Sequence, residues 1–349
     1  MPWLTSSIIP GSAPDGSSII SVIAKRTYTI AHGSVALAAE QIPIHVNDLT
    51  VDPVNPLNTE NLSETDLIAY KARTDVVVLA DAFTPHGKRA YNLKCEVSVG
   101  PVHKEILVYG ERKLESKSFR GLTFTDPVPF ETMPLNYHNA FGGYAKSKDG
   151  TMLPFPPNPF GKGFYLKGGF EGLSEIAVPN LEDPASPIEP SSLIYNVYED
   201  WTKAPKPASF GWTKQGFYPR WTYAGLPTQY LAGVLRDNPQ SDPNKIPKLD
   251  FRFYQGASEG LCNSVLRGDE HVRLKYMDPD YPVFEFDLPN NIPRLTLKPG
   301  KEVIEVEPVL QTVLIDKKNS LLSMVWRGSM SGDMVELSSK GIVIGCDVK

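Results

Sequence analysis

"AYNLKCEVSVG", residues 90–100, is the stretch on which the fold class turns. Extended, it sets Tyr91, Leu93, Cys95, Val97 and Val99 on one face and Asn92, Lys94, Glu96 and Ser98 on the other. A helix, turning every 3.6 residues or so, would mix the two sets, so the period of two predicts a β-strand with one apolar and one wet face. Upstream, "DVVVLADAFTPHGKRA" places a Val-rich run before the turn signal Pro85-His86-Gly87; downstream, Gly100-Pro101 leads into "KEILVYG". The three runs together predict three consecutive antiparallel strands.

Both ends of the chain repeat this style. Near the N-terminus Ile20, Val22, Ala24, Tyr28 and Ile30 alternate with Ser21, Lys25, Thr27 and Thr29, and His32-Gly33 turns the chain into Val35–Ala38. Toward the C-terminus "RLTLKPGKEVIEVEP" holds Pro299-Gly300 between two alternating runs, and "TVLIDKKNSLLSMVWRG" holds Asp316–Asn319 between two more. Between about Asp126 and Arg220, Pro and Gly recur every few residues with no helical period. So long a connecting segment inside a domain is usually functional. One short helix is expected, Thr228–Arg236, with Tyr230, Leu231, Val234 and Leu235 on one side. The expected fold class is therefore mainly β: antiparallel, sandwich-like regions at both ends, a Pro/Gly/aromatic loop-rich middle and few short helices. The corresponding sub-lobes are 15–125, 126–225 and 226–349.

Composition narrows the function. Net charge is -5, from 35 basic and 40 acidic residues spread along 349, with no basic stripe to neutralise phosphates, so nucleic acid is not an expected partner. Proline, at 32 residues, is about twice its usual abundance, which describes a folded chain with stiffened loops. The first residues lack a basic n-region, and no apolar run approaches the roughly 20 residues that span a bilayer, so a cytoplasmic protein without membrane contact is expected. Cys95, Cys262 and Cys346 are too scattered for a disulfide framework or a close-spaced zinc site and read as reduced core residues.

Catalytic patterns are absent from the sequence. "FGKGF" places Phe164 where a phosphate loop needs Ser or Thr, "AFGGY" lacks the third glycine of a dinucleotide turn, and neither H-E-x-x-H nor G-x-S-x-G occurs. No metal, cofactor or catalytic residue is expected. His138 is the one histidine in the unusual middle and the one catalytic candidate to weigh, while His86 reads as a turn residue. Arg112 and Arg327 follow apolar runs beside aromatic residues and read as packed guanidinium groups, with Trp326 as core.

Nine segments in order, "RTDVVVLADAFTPHGK", "VHKEILVYGER", "FETMPLNYHNAFGGY", "PNPFGKGF", "YPRWTYAG", "KLDFRFYQGAS", "LRGDEHVRL", "FDLP" and "LIDKKNSLLSMVWRG", resemble the domain-of-unknown-function 2169 family. The resemblance runs from about Ile23 to Gly328 and implies a single family domain over 1–349. It also implies a role in bacterial type VI secretion: an adaptor or chaperone that loads a secreted effector protein onto the VgrG spike or its PAAR tip. A β-rich enzyme acting on carbohydrate or peptide, and a passive component of the spike, are the alternatives. Because rings bury large area at low entropic cost, Phe141, Tyr144, Phe155, Phe160 and Phe164, set among Pro154, Pro156, Pro157 and Pro159, are the candidate partner-binding residues.

Overall fold

The strand expected at 90–100 is present as Asn92–Val99, with Leu93, Cys95, Val97 and Val99 buried and Lys94 exposed. Tyr91 lies just before it and is exposed. The structure, a computed structural model, describes residues 5–56, 59–117, 121–166, 176–195, 204–224, 250–332 and 342–348. The helix expected at Thr228–Arg236 falls outside them. Among the described residues the secondary structure is mainly β, and the only α-helix is Arg220–Tyr223.

Asn92–Val99 pairs with Val102–Tyr109 through the Gly100 turn, and the two are the centre of a five-stranded antiparallel sheet. Its spatial order is Leu181–Glu182, Val102–Tyr109, Asn92–Val99, His271–Lys275 and Val283–Asp287. The Val-rich run is not its third member. Asp75–Leu79 pairs in parallel with Pro308–Asp316, at the edge of a second sheet. The physical reason is in the run itself: Val76, Val77 and Val78 are consecutive and all buried, the pattern of a strand covered on both faces, where an antiparallel strand with a wet face would alternate.

The second sheet has the order Thr5–Ser12, Ser18–Ala31, Leu321–Ser331, Pro308–Asp316 and Asp75–Leu79, with Ser34–Leu37 also paired to Ser18–Ala31. Ser18–Ala31 runs antiparallel to Leu321–Ser331 from Ile19↔Ser331 to Thr29↔Leu321. N-terminal and C-terminal strands thus interleave in both sheets, and the sub-lobes 15–125 and 226–349 share their scaffold. Tyr28, Val313, Met324 and Trp326 from this sheet join Cys95, Val97, Leu274 and Phe284 from the other in one hydrophobic core. Farther along the same long strand, Ile20, Val22 and Ala24 pack on Leu295, Leu297 and Val306 of a three-stranded sheet made by Pro293–Pro299, Ile304–Val306 and Ile342–Val348. Gly328 permits that approach, since a Cβ there would sit 2.7 Å from the Val306 Cγ2.

The other face of Ser18–Ala31 mixes Ile19 and Ile23 with polar residues, which are not wet until Thr29. Ser21, Lys25 and Thr27 are all buried beneath the segment 41–70. Lys25 Nζ donates to Asp66 Oδ2 at 2.9 Å and to the Pro43 carbonyl at 3.2 Å, Ser21 Oγ donates to the Ala69 carbonyl, and Gln41 makes a two-way amide bond with the Thr27 backbone. Each buried polar group has the partner that burial demands. Loss of water outweighs Asp66 in its effect on Lys25 and holds that ammonium below its ordinary pKa.

The loop-rich middle carries short ribbons. Leu114–Lys117 pairs with Gly121–Phe124, Tyr144–Lys146 with Met152–Pro154, and Phe141–Gly142 lies parallel to Lys162–Gly163. No helix among the described residues is long and apolar enough to cross a membrane.

Candidate functional site

The aromatic stretch divides between interior and surface. Phe141, Phe155 and Phe164 are 0%, 1% and 7% exposed, and with Leu114, Ile176, Val178 and Leu193 they make a second core. Phe141 meets Phe155 edge-on at 4.9 Å, and Phe155 meets Phe164 at 5.1 Å. These rings cannot be touched by a partner that leaves the domain folded, apart from the side of Phe155 that walls the cavity described below. The glycines of the stretch serve closeness, not flexibility: a Cβ on Gly142, at φ +150°, would lie 2.1 Å from the Asn158 carbonyl oxygen. Asn158, itself fully buried, ties the stretch together by donating from Nδ2 to the carbonyls of Tyr137 and Phe141.

Tyr144 and Phe160 reach the surface. Tyr144 is 45% exposed on the outward face of its ribbon, beside Met152 and Pro154, while Ala145 and Leu153 face inward. Phe160 is half-buried between the rings of His138, at 5.4 Å, and Phe217, at 5.0 Å. His138 is committed structurally: its backbone N–H donates to Glu60 and its Nδ1 lies 3.2 Å from the Phe160 carbonyl. His86 is a turn residue in the left-handed region, as expected. Arg112 is buried, pairs with Glu182 and stacks on Tyr109 at 4.0 Å; Arg327 stacks on Tyr70 at 4.9 Å and donates to Ser329, and Trp326 is core. All three structural readings hold.

A cavity of about 650 Å³ opens beside the parallel edge of the six-stranded sheet. That edge is sealed by loops instead of a further strand: Val76 N donates to the Leu261 carbonyl and Val78 N to the Phe210 carbonyl. The same loops continue into the cavity wall, so the site is anchored to the central sheet. Its walls are mostly apolar, built from Tyr137, Phe155, Tyr218 and Tyr223 together with Pro157, Pro205, Pro207 and Pro219. Proline fixes φ and removes an N–H donor, so these walls are stiff and present mainly carbon.

The floor is Arg220, held from behind the lining by a buried ion pair with Glu64. Arg220, on the helical turn Arg220–Tyr223, is 3% exposed and Glu64 is 2% exposed. The guanidinium forks onto both Glu64 oxygens, and its remaining donors go to the carbonyls of Thr213 and Phe253. Gly256 is required here, because a Cβ would sit 2.3 Å from Glu64 Oε2 and 2.7 Å from the Trp212 ring. Burial pushes the Glu64 carboxyl above its ordinary range, with Arg220 opposing. Next to this pair Asp75 accepts from Lys71 Nζ at 2.6 Å, Gln255 Nε2 at 2.8 Å and Gly256 N at 2.8 Å. Gln255 in turn holds the Arg73 backbone, accepting from its N–H at 3.0 Å and donating to its carbonyl at 3.2 Å.

The rim is charged. Arg73, Lys206 and Arg252 stand over the walls, with Glu259 as the one acid of the lining among the described residues. Lys206 pairs with Glu259, and Arg252 pairs with Asp250 while stacking on the Tyr223 ring at 4.2 Å. Burial pushes the Cys262 thiol up to about 11 and the Tyr137 phenol, which is hydrogen-bonded to Thr213, up to about 12. Lys104 lies behind Glu259, its Nζ 3.0 Å from Ser258 Oγ, and burial lowers it to about 8. No cluster of three His, Cys, Asp or Glu side chains suited to a metal ion occurs among the described residues.

Of these residues the sequence singled out Phe155, Pro157 and Cys262 individually, although Tyr137, Arg220, Arg252 and Gln255 fall inside segments carrying the family resemblance. No curated protein and no solved structure matches the chain. A family model described as "Uncharacterized protein conserved in bacteria (DUF2169)" matches residues 15–327, which take in the whole five-stranded sheet, the second core and the cavity lining, and the chain therefore belongs to the domain-of-unknown-function 2169 family.

Proposed function

We propose that this chain is a non-enzymatic adaptor of bacterial type VI secretion, which binds one effector in the donor cytoplasm and loads it onto the VgrG spike or its PAAR tip. Family membership supports this role through the association drawn from the resemblance. The observation that carries the reading is the cavity: an apolar, proline-stiffened recess, charged at the rim, on a floor locked by the Arg220–Glu64 pair. Such a recess is formed before a partner arrives, so little ordering entropy is lost on docking. The ionisable groups facing it favour binding over nucleophilic chemistry, since a thiol near 11 and a phenol near 12 are both protonated at neutral pH.

Deleting the gene tests the role. The expected result is loss of one effector from the secreted fraction while the tube protein is still secreted; loss of both would favour a structural component of the spike. A lower level of that effector inside the cell would add that binding stabilises the cargo by mass action.

A further inference from the structure

We propose that the cavity recognises an extended segment of its protein partner in which an apolar side chain is followed by a carboxylate, and that Arg73 reads the carboxylate. The inference rests on the adaptor reading for the identity of the partner as a protein, and on charge complementarity for its chemistry.

Among the described residues four cations line the cavity against a single acid, Glu259. Three of the four already have a carboxylate: Arg220 has Glu64, Arg252 has Asp250 and Lys206 has Glu259. Arg73 has none among the described residues. Its guanidinium donates from Nη1 to the Asn263 carbonyl at 2.8 Å, which leaves most of its five donors for a ligand. Its root is held, because Gln255 clamps both the N–H and the carbonyl of Arg73, and Gln255 is itself fixed on Asp75. A guanidinium with a fixed root presents a planar fork that matches a carboxylate through two parallel hydrogen bonds. The protein as a whole is acidic, with net charge -5, so long-range attraction does not favour an acidic ligand. Recognition of the acid must come from this local cation. The apolar side chain of the segment would lie against the tyrosine and proline walls.

The probes are two short fluorescein-labelled peptides of leucine, proline and glycine, one with a central glutamate and the other with glutamine in its place. Fluorescence anisotropy against the full chain is expected to show the glutamate peptide binding about tenfold more tightly, the effect of one charge-assisted hydrogen-bonded pair. Arg73→Gln should abolish the preference, bringing the ratio of the two affinities to about one. Arg73 is exposed, and an unchanged thermal melt will show that the fold is kept. Tyr223→Ala should weaken both peptides alike and keep their ratio. Equal binding of the two peptides by the native protein, or a glutamate preference that survives Arg73→Gln, overturns the proposal. The adaptor role is separable: loss of one effector on gene deletion, together with equal binding of the two peptides, leaves that role standing and removes only the carboxylate specificity.

Discussion

Replacing Arg220 by methionine would leave the Glu64 carboxylate, buried behind the floor of the cavity, with no guanidinium against it. Both partners are almost fully buried, so water cannot take over the lost bonds. Breaking a buried ion pair by removing one member typically costs about 3–5 kcal/mol, and here the Phe253 carbonyl also loses its guanidinium donors. Glu64 has one escape, which is to take up a proton. Its pKa already stands above the ordinary 4.5, and removing the cation raises it further. The native state then binds more protons than the unfolded state between the two values, so stability falls as pH rises through that window and the penalty is largest above it. Urea unfolding followed by tryptophan fluorescence should therefore give a loss of at least about 3 kcal/mol for Arg220→Met at about pH 8. Relative to the native protein, the loss should be smaller at about pH 6, by no more than about 1.4 kcal/mol for each pH unit over which Glu64 takes up its proton. Glu64→Gln combined with Arg220→Met should lose less than Arg220→Met alone and show no such pH dependence. A loss below about 1 kcal/mol at the higher pH, or the same loss at both, would refute the account of a desolvated, charge-balanced floor.

Phe141→Ala and Phe164→Ala should each cost about 3–5 kcal/mol of stability, while Tyr144→Ala stays within about 0.5 kcal/mol; similar thermal shifts for all three would remove the division into core and surface rings. Lys25→Met leaves Asp66 buried and should cost about 3–5 kcal/mol, and adding Asp66→Asn, which keeps an acceptor for the His45 N–H, should recover much of it in the same unfolding assay. Lys104, lowered from 10.5 to about 8, sheds its proton in the native state first. Between those values the unfolded state binds more protons, so stability should rise with pH across the window, by up to about 1.4 kcal/mol per pH unit. A Lys104→Met protein that keeps the same rise would refute it.

What was legible in the sequence was local. The alternation at 90–100, the hairpins at His32-Gly33 and Pro299-Gly300, and the turn at Asp316–Asn319 each depend on neighbours within a few positions, and each is present. Alternation, however, reports only that two faces differ. On Ser18–Ala31 the polar residues Ser21, Lys25 and Thr27 proved to be buried, because what covers them comes from 41–70 and is invisible in the strand's own pattern. The Val-rich run was misplaced for a related reason. Its turn signal suggested a hairpin, yet the unbroken series Val76-Val77-Val78 already pointed to a strand with two dry faces, whose partner at 308–316 is distant in the chain.

The aromatic stretch and the cavity fail to be legible in opposite ways. Rings spaced among prolines and glycines look the same whether they anchor a partner or fill a core. The deciding fact is the close approach at Gly142 and the burial of Asn158, which only the folded chain supplies. The cavity has no local signature at all. Its floor residue Arg220 is held by Glu64, 156 positions away, and Glu64 sits in "SETDL", a run that reads as a solvated loop. Yet a physical constraint links them: a carboxylate is buried this deeply only when a cation meets it, and a guanidinium only when acceptors surround it. The sheet edge at Asp75–Leu79 satisfies both demands, because the loops that seal it bring Thr213, Phe253, Gln255 and Gly256 to the pair. Closing the edge of the sheet and building the recess are one structural event, and the same loops carry the Arg73 fork to its rim.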